Sequence, residues 1–403
     1  MRIERILSGL LLIVVATTAV NLAWAAKPGP KPGIASWTFI VYMVADNNLD
    51  SWAYTSLSFM EAVGSTEQVN IVVLWDGYYA PAYMYRVVKG GHELVSDFPL
   101  NGQEVNMGDS NTLGTLVDFV TNRFTANHYL LDLWDHGDDF TGSCWDSHPV
   151  DYLTHAEVVM ALSGHHIDIL AYDACLEAMI EVAYEYNAKG LMTDYLVACE
   201  NYVPMYGYPY DKILENLTAR PDMLELDFAK VIVTEYAKFY MPRAHFNGGV
   251  MATLSVIDIS MVDEAVQELA ALTDVLKNNM AAYHDLISDA RGEGNLPWSE
   301  YGWDLYIDLP TFVKYLNSHG DETVSPLAGT LLATLQNDVI KAVANTEPMN
   351  SAGALGIGIW FPPSYATQWT KIGLRQYTKL QFASQGWLDF LYTYWHGGCK
   401  GRR

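Results

Sequence analysis

Two apolar segments of this chain end on side chains that nucleophilic chemistry uses. LLDLWDHGDDF, residues 130–140, stops at His136 and Gly137, and HIDILAYDACLEAMIE, residues 166–181, stops at Cys175. A free thiol is mostly protonated at neutral pH, and a nearby imidazole or helix N-terminus shifts it towards the thiolate that attacks carbonyl carbon. Gly137 removes a side chain where substrate or backbone must approach closely. Its amide and that of Cys175 are candidate donors to a developing oxyanion. The chemistry these residue types point to is acyl transfer through sulfur.

For the pair to meet, the two segments must be neighbouring strands. In open α/β sheets the active crevice lies beyond the carboxyl ends of the strands, and adjacent strands run about 5 Å apart. The sequence alternates as such a sheet requires. WTFIVYMVA (37–45) and VNIVVLWDG (69–77) read as strands buried on both faces. DNNLD offers acceptors suited to capping the helix of SWAYTSLSFMEAV. Two short runs around Gly90-Gly91 read as a hairpin on the sheet edge. Asp109 opens a helix reaching about Phe124; HYLLDLWD, HIDILAYDA and DYLVACE read as further strands, and THAEVVMALSG as a helix. CLEAMIEVAYEYNAKG predicts a helix beginning at Leu176, whose positive end would favour the Cys175 thiolate. The fold class expected is α/β, a mostly parallel sheet flanked by helices. Beyond about residue 208 the pattern turns largely helical, over 224–241, 260–288 and 324–344, with strands near GGVMATLSVID and GALGIGIWFP.

Residues 1–25 read as a secretory signal: Arg2 and Arg5, an apolar run from Leu10 to Val20, then Ala23-Trp24-Ala25. No later stretch reaches the roughly 18 apolar residues of a membrane span. A Pro/Gly linker over 26–36 then leads into a catalytic domain over 37–220, a helical and mixed lobe over 221–395 and a tail over 396–403. The net charge of −24 argues against nucleic acid, whose phosphates would be repelled, and suits a basic substrate or solubility outside the cell. Cys144, Cys175, Cys199 and Cys399 match no paired CxxC zinc pattern, and a Cys144–Cys199 bridge is left open. The carboxylates of DHGDDF with Asp146 and Asp151 lack regular ligand spacing, and His165-His166 lacks an HExxH helix.

In order along residues 37–217, WTFIVYMVADNNLD, VNIVVLWDG, LLDLWDHG, IDILAYDACLEAMIEVAYE and CENYVPMYGYPY resemble the clostripain family of cysteine peptidases, whose catalytic domain has a caspase-like fold. The resemblance implies His136 as catalytic histidine and Cys175 as nucleophile of an endopeptidase that cuts proteins or peptides after a basic residue. It also puts Asp173 at the substrate pocket, where a carboxylate would select Arg or Lys; a carboxylate here could instead cap the turn. No cofactor is required for the chemistry, while the resemblance allows calcium, with no residues assigned to it. Self-cleavage at basic sites, a family habit, would have Lys27, Lys31 and Lys189 as candidates. Cys199-Glu200 stands where the family has a serine before the glutamate, and NYVPMYGYPY holds no acid matching a second pocket carboxylate. These departures leave a second expectation, a catalytically inactive binding protein at the cell surface on the same scaffold. An ester hydrolase would need a GxSxG elbow, which the sequence lacks.

Overall fold

The side chains of β1 (Ala35–Ala45) show why the sheet forms where it does. Ile40, Tyr42 and Val44 enter one apolar cluster, and Phe39, Val41 and Met43 the other, all of them buried. With both faces covered, the strand needs no polar alternation, hence its continuous apolar sequence. This computed structural model describes residues 34–242, 250–295 and 305–397. The expected signal segment, most of the linker, Lys27, Lys31 and Cys399 lie outside the described residues.

β2 (Val69–Gly77) pairs with β1 in parallel. The hairpin of β3 (Ala80–Val88) and β4 (Gly91–Leu94) adds antiparallel strands at that edge, as the Gly90-Gly91 turn predicts. On the other side β1 pairs in parallel with β5 (Ala126–Trp134). A small separate hairpin, β6 (Ser143–Ser147) with β7 (Val150–Leu153), follows beyond the end of β5. β8 (Ile169–Asp173) and β9 (Tyr195–Ala198) continue the parallel core. Strands from beyond residue 220 then join the same sheet: β10 (Thr253–Asp258) lies antiparallel to β9. β11 (Tyr306–Asp308) stands outside it, and β12 (Ile340–Asn345) closes the far edge against β10. The nine-stranded order is β12-β10-β9-β8-β5-β1-β2-β3-β4, while β13 (Gly358–Trp360) pairs with β11 alone.

One face is covered by α1 (Asp50–Glu61) through Leu57 and Met60, together with Ile213, Leu217, Phe228 and Ile232 of helices further along. The other is covered by α2 (Ser110–Arg123), α3 (His155–Ala161), α4 (Ile180–Ala188) and helix 262–278. Each fully buried Leu or Ile contributes about 2 kcal/mol by leaving water, so these two layers hold the strand ends in place. Asp109 caps α2 by accepting from the Asn111 amide, and Thr154 with Glu157 forms a capping box on α3.

The helix expected over 324–344 divides: it is helical to Val339 and then becomes β12. The segment IKAVAN is taken up by the free edge of β10, and strand pairing overrides a helical reading of its composition. Cys144 belongs to one apolar cluster and Cys199 to the other; both are free and buried, so no bridge joins them. Lys189 ends α4 and pairs with Glu185 at 2.9 Å. No helix among the described residues is long and apolar enough to cross a membrane.

Candidate active site

The register of β5 against β8 decides how the two segments meet. Trp134 is opposite Asp173 in this parallel pair, so His136 and Cys175 each stand two residues past the last paired position. A Cβ added to Gly137 would stand 2.1 Å from the Cys175 carbonyl oxygen and 3.0 Å from its amide nitrogen. The two backbones are therefore in contact, and only glycine fits at 137. Gly137 also forms an isolated antiparallel bridge with Ser143, whose hydrogen bonds run from Cys144 N to His136 O and from Asp138 N to Gly142 O. Those bonds flank Gly137 and leave its own amide out of the ladder.

His136, Gly137, Cys175 and Asp173 line one cavity of about 530 Å³, with Leu49, Trp52, Asp135 and the loop from Tyr202 to Gly207. A second cavity, also about 530 Å³, lies on the other side of His136 and Gly137, bounded by Asn48, Thr141, Trp145 and Tyr152. His136 thus stands between two hollows. Its Nε2 bonds the side-chain oxygen of Asn48 at 2.9 Å. With that oxygen accepting, Nε2 carries the proton and Nδ1 keeps the lone pair. Burial pulls the His136 pKa below the ordinary histidine value, favouring the neutral ring.

Cys175 corrects one expectation. It does not open a helix: Leu176 has φ +65°, its amide bonds Asn201 O, the Ala178 amide bonds Cys199 O, and α4 begins only at Ile180. The helix end is too far along the chain to act on the sulfur. Burial instead pushes the thiol up to about 12, with Glu177, Asp173 and Asp135 adding to the rise, while the Val203 amide donates to Sγ at 3.3 Å and opposes it. Cys175 and His136 therefore rest as thiol and neutral imidazole.

Asp173 is buried. Its Oδ2 accepts from the Tyr208 amide at 2.8 Å and the Tyr210 hydroxyl at 2.9 Å, while Oδ1 has no hydrogen-bond partner. It caps no helix. Burial pushes its pKa up to about 7, against the lowering effect of those two donors. Gly207, at φ +60°, lies directly over the carboxylate, where a Cβ would meet Oδ2 at 2.4 Å.

Four contributors escape sequence reasoning. Asn48 sits in DNNLD, read there as a cap, yet α1 has no side-chain cap: Asn47 holds Asp135 Oδ1 at 2.7 Å and Asn48 holds His136. Val203 and Tyr210 come from the loop after β9 and the helix that follows it. Asp135 lines the same cavity with an unpartnered Oδ2; its place beside His136 in WDHG was the one available signal. Cys199 is buried with its thiol folded onto Asn201, and Glu200 bonds the Gly356 amide at 3.1 Å. Both residues anchor the loop that brings Val203 to Cys175.

The sequence profile of the clostripain family matches residues 41–395. Clostripain from Hathewaya histolytica is 24% identical, the match covering 89% of this chain and 80% of that one. The structure resembles that of a secreted C11 cysteine protease from Bacteroides thetaiotaomicron in complex with an irreversible peptide inhibitor, with TM-score 0.67 and 18% identity over 87% of this chain and 99% of that one. It also resembles an inactive zymogen C11 protease from Parabacteroides distasonis, with TM-score 0.66 and 18% identity over 88% and 99% of the two chains. These likenesses show a shared mostly parallel sheet flanked by helices. From the profile match over most of its length, this chain belongs to the clostripain family and is a cysteine endopeptidase.

Proposed function

We propose that the protein hydrolyses peptide bonds after Arg or Lys, with Cys175 as nucleophile, His136 as general base and Asp173 as the group that selects the basic side chain. The observation that carries this reading is the unpartnered Oδ1 of buried Asp173, facing a cavity shared with Cys175 and His136. A buried carboxylate oxygen without a donor is costly, and a substrate ammonium or guanidinium would supply that donor. Asp135, in the same cavity, adds a second negative charge.

The steps follow from the resting protonation states. His136 Nδ1 takes the thiol proton as sulfur attacks the carbonyl carbon, and the oxyanion receives the amides of Gly137 and Cys175. The imidazolium returns that proton to the departing amine, leaving a thioester on Cys175. Water, deprotonated by His136, then hydrolyses the thioester and releases the acid and the thiol. A cation on Asp173 also cancels one of the charges that hold the thiol protonated, so a basic substrate assists its own attack. The cavity beyond His136 receives the residues after the cut.

The reading includes export, supported by the basic, apolar and small-residue order of residues 1–25 and by the secreted description of the Bacteroides thetaiotaomicron protease. The test is cleavage of a mixed peptide library by mature protein. Cuts after Arg and Lys are expected; cuts confined to sites after apolar residues would overturn the specificity.

A further inference from the structure

Helix α1 has two working sides. Leu49, just before it, and Trp52 turn towards the catalytic cavity. Asp50, Tyr54, Leu57 and Glu61 follow the helical repeat along another side and line a separate cavity of about 390 Å³. Alternation along the edge strands brings Trp75 and Gly77 of β2 and Tyr83 and Tyr85 of β3 to that cavity, with Trp75 directly opposite Tyr83. Tyr79, from the turn between the two strands, joins the lining. Tyr54 is 58% exposed and Tyr79 is 88% exposed, so two large rings stand in water beside the hollow.

Three observations say what the hollow would take. The Trp75 ring meets Tyr54 edge-on with centroids 4.5 Å apart, and its Nε1 is buried without an acceptor. A buried donor left unpaired is costly, and an occupant with a carbonyl oxygen removes that cost. Gly77 keeps the space beside this donor open. Its φ lies outside the left-handed region, so its backbone would tolerate a side chain; one there would stand 3.1 Å from Asp50 Oδ1 and 3.2 Å from Trp75 Nε1. The bare α-carbon thus fronts an acceptor and a donor together. Asp50 and Glu61 also make the wall acidic. No Lys or Arg lines the cavity among the described residues, and His92, bonded to Glu61 Oε1 at 2.6 Å, is its one basic side chain.

Aromatic faces and carboxylates together attract a cation. A sugar could meet the hydrogen-bonding groups but would leave the two acids uncompensated. A basic residue within a polypeptide offers a cation for Asp50 and the rings and a carbonyl for Trp75 Nε1. We propose that this cavity is an exosite for a lysine or arginine side chain of the polypeptide substrate, at a residue other than the one before the cut. Helix α1 is a shared wall, so a substrate held here lies along the helix that borders the catalytic cavity. Binding of a basic residue stands by itself; its part in cleavage rests on the peptidase reading above.

The test reads binding and cleavage separately. For binding, the full-length protein carrying Cys175→Ala and Asp173→Asn, whose catalytic pocket has lost its proposed selecting charge, is titrated by calorimetry with N-acetyl-arginine methylamide. One molecule per chain is expected. Adding Asp50→Asn, which keeps an acceptor for the Tyr78 amide, or Tyr54→Ala, which removes an exposed ring, should each weaken binding by about 10-fold. N-acetyl-norleucine methylamide, which has no charge, should give no heat. No binding of the arginine derivative, binding that neither substitution weakens, equal binding of the norleucine derivative, or binding of methyl glucoside in its place would overturn the proposal.

For cleavage, Tyr54→Ala in the otherwise unaltered protein should raise KM for polylysine by about 10-fold with kcat kept, and leave KM for a tripeptide lysine amide unchanged. Equal changes on both substrates, or none on polylysine, would overturn the exosite. A chain that binds the arginine derivative as described but cleaves neither substrate would count against the peptidase reading alone. Cleavage of the tripeptide by a chain that binds no arginine derivative would count against the exosite alone.

Discussion

His136 Nε2 and the side-chain oxygen of Asn48 lie 2.9 Å apart, a bond between the end of β5 and the turn after β1. With the Asn48 oxygen accepting, it fixes Nε2 as the ring nitrogen that carries the proton and leaves Nδ1 as the base the proposed mechanism needs. Replacing Asn48 by Ala frees the ring to rotate. Misplacement of a catalytic group by an ångström costs about 100-fold, so kcat should fall by about 10-fold to 100-fold with KM little changed. Steady-state kinetics on a Lys peptide checks this, and an unchanged kcat would remove Asn48 from the site.

Gly137 touches the Cys175 backbone, and a methyl group there would stand 2.1 Å from its carbonyl oxygen. Gly137→Ala must push the two strand ends apart and move the two amides proposed as oxyanion donors. Loss of one such donor costs about 100-fold to 1000-fold in kcat. A drop of that size is expected with the far-ultraviolet spectrum unchanged, since the clash is confined to the crevice.

Asp173 gives the pH dependence its sign. Burial pushes its pKa up to about 7, so below that value the empty pocket holds a neutral acid and above it a carboxylate. For Lys and Arg peptides kcat/KM should therefore rise as pH rises through about 7. The limb from His136, whose pKa lies below the ordinary value, falls at lower pH. Asp173→Asn should abolish the upper limb and lower kcat/KM on basic substrates by about 100-fold, the scale of a lost buried charge pair. The comparison to make is the pH profile of the two proteins on one peptide.

Cys175 should be sluggish towards simple alkylating agents. A thiol held near 12 has far less thiolate at pH 7 than a free cysteine near 8.5, and its greater intrinsic nucleophilicity recovers only part of the loss. Iodoacetamide should react about 100-fold more slowly with Cys175 than with glutathione. Slow labelling thus does not mark an inactive chain, because activation waits for the substrate. Labelling faster than glutathione would contradict the resting thiol–imidazole pair.

The strands, and the meeting of His136 and Cys175 at one cavity, were legible because both follow from local pattern. β1 reads as buried on both faces from its uninterrupted apolar run, and His136 and Cys175 announce themselves by ending such runs. What escaped depends on distant partners. The helix expected to start at Leu176 starts at Ile180 because the amides of Leu176 and Ala178 are taken by Asn201 and Cys199, and nothing in CLEAMIE encodes that loop. DNNLD looks like a capping sequence, but its two asparagines serve Asp135 and His136, each about ninety positions away. IKAVAN is neutral in propensity, and only the open edge of β10 makes it a strand. Asp46, Asp76 and Asp146 are separated by tens of residues; the parallel pairing of β1 with β2 brings the first two together, and the separate β6–β7 hairpin brings the third.

The most direct measurement is peptide mapping of the mature protein after inactivation with a lysine chloromethyl ketone. The account expects one alkyl group on Cys175 Sγ, complete loss of hydrolysis, and no modification of buried Cys144 or Cys199. Inactivation with the label on another residue and Cys175 untouched would contradict the central claim, as would undiminished hydrolysis by a protein fully labelled at Cys175.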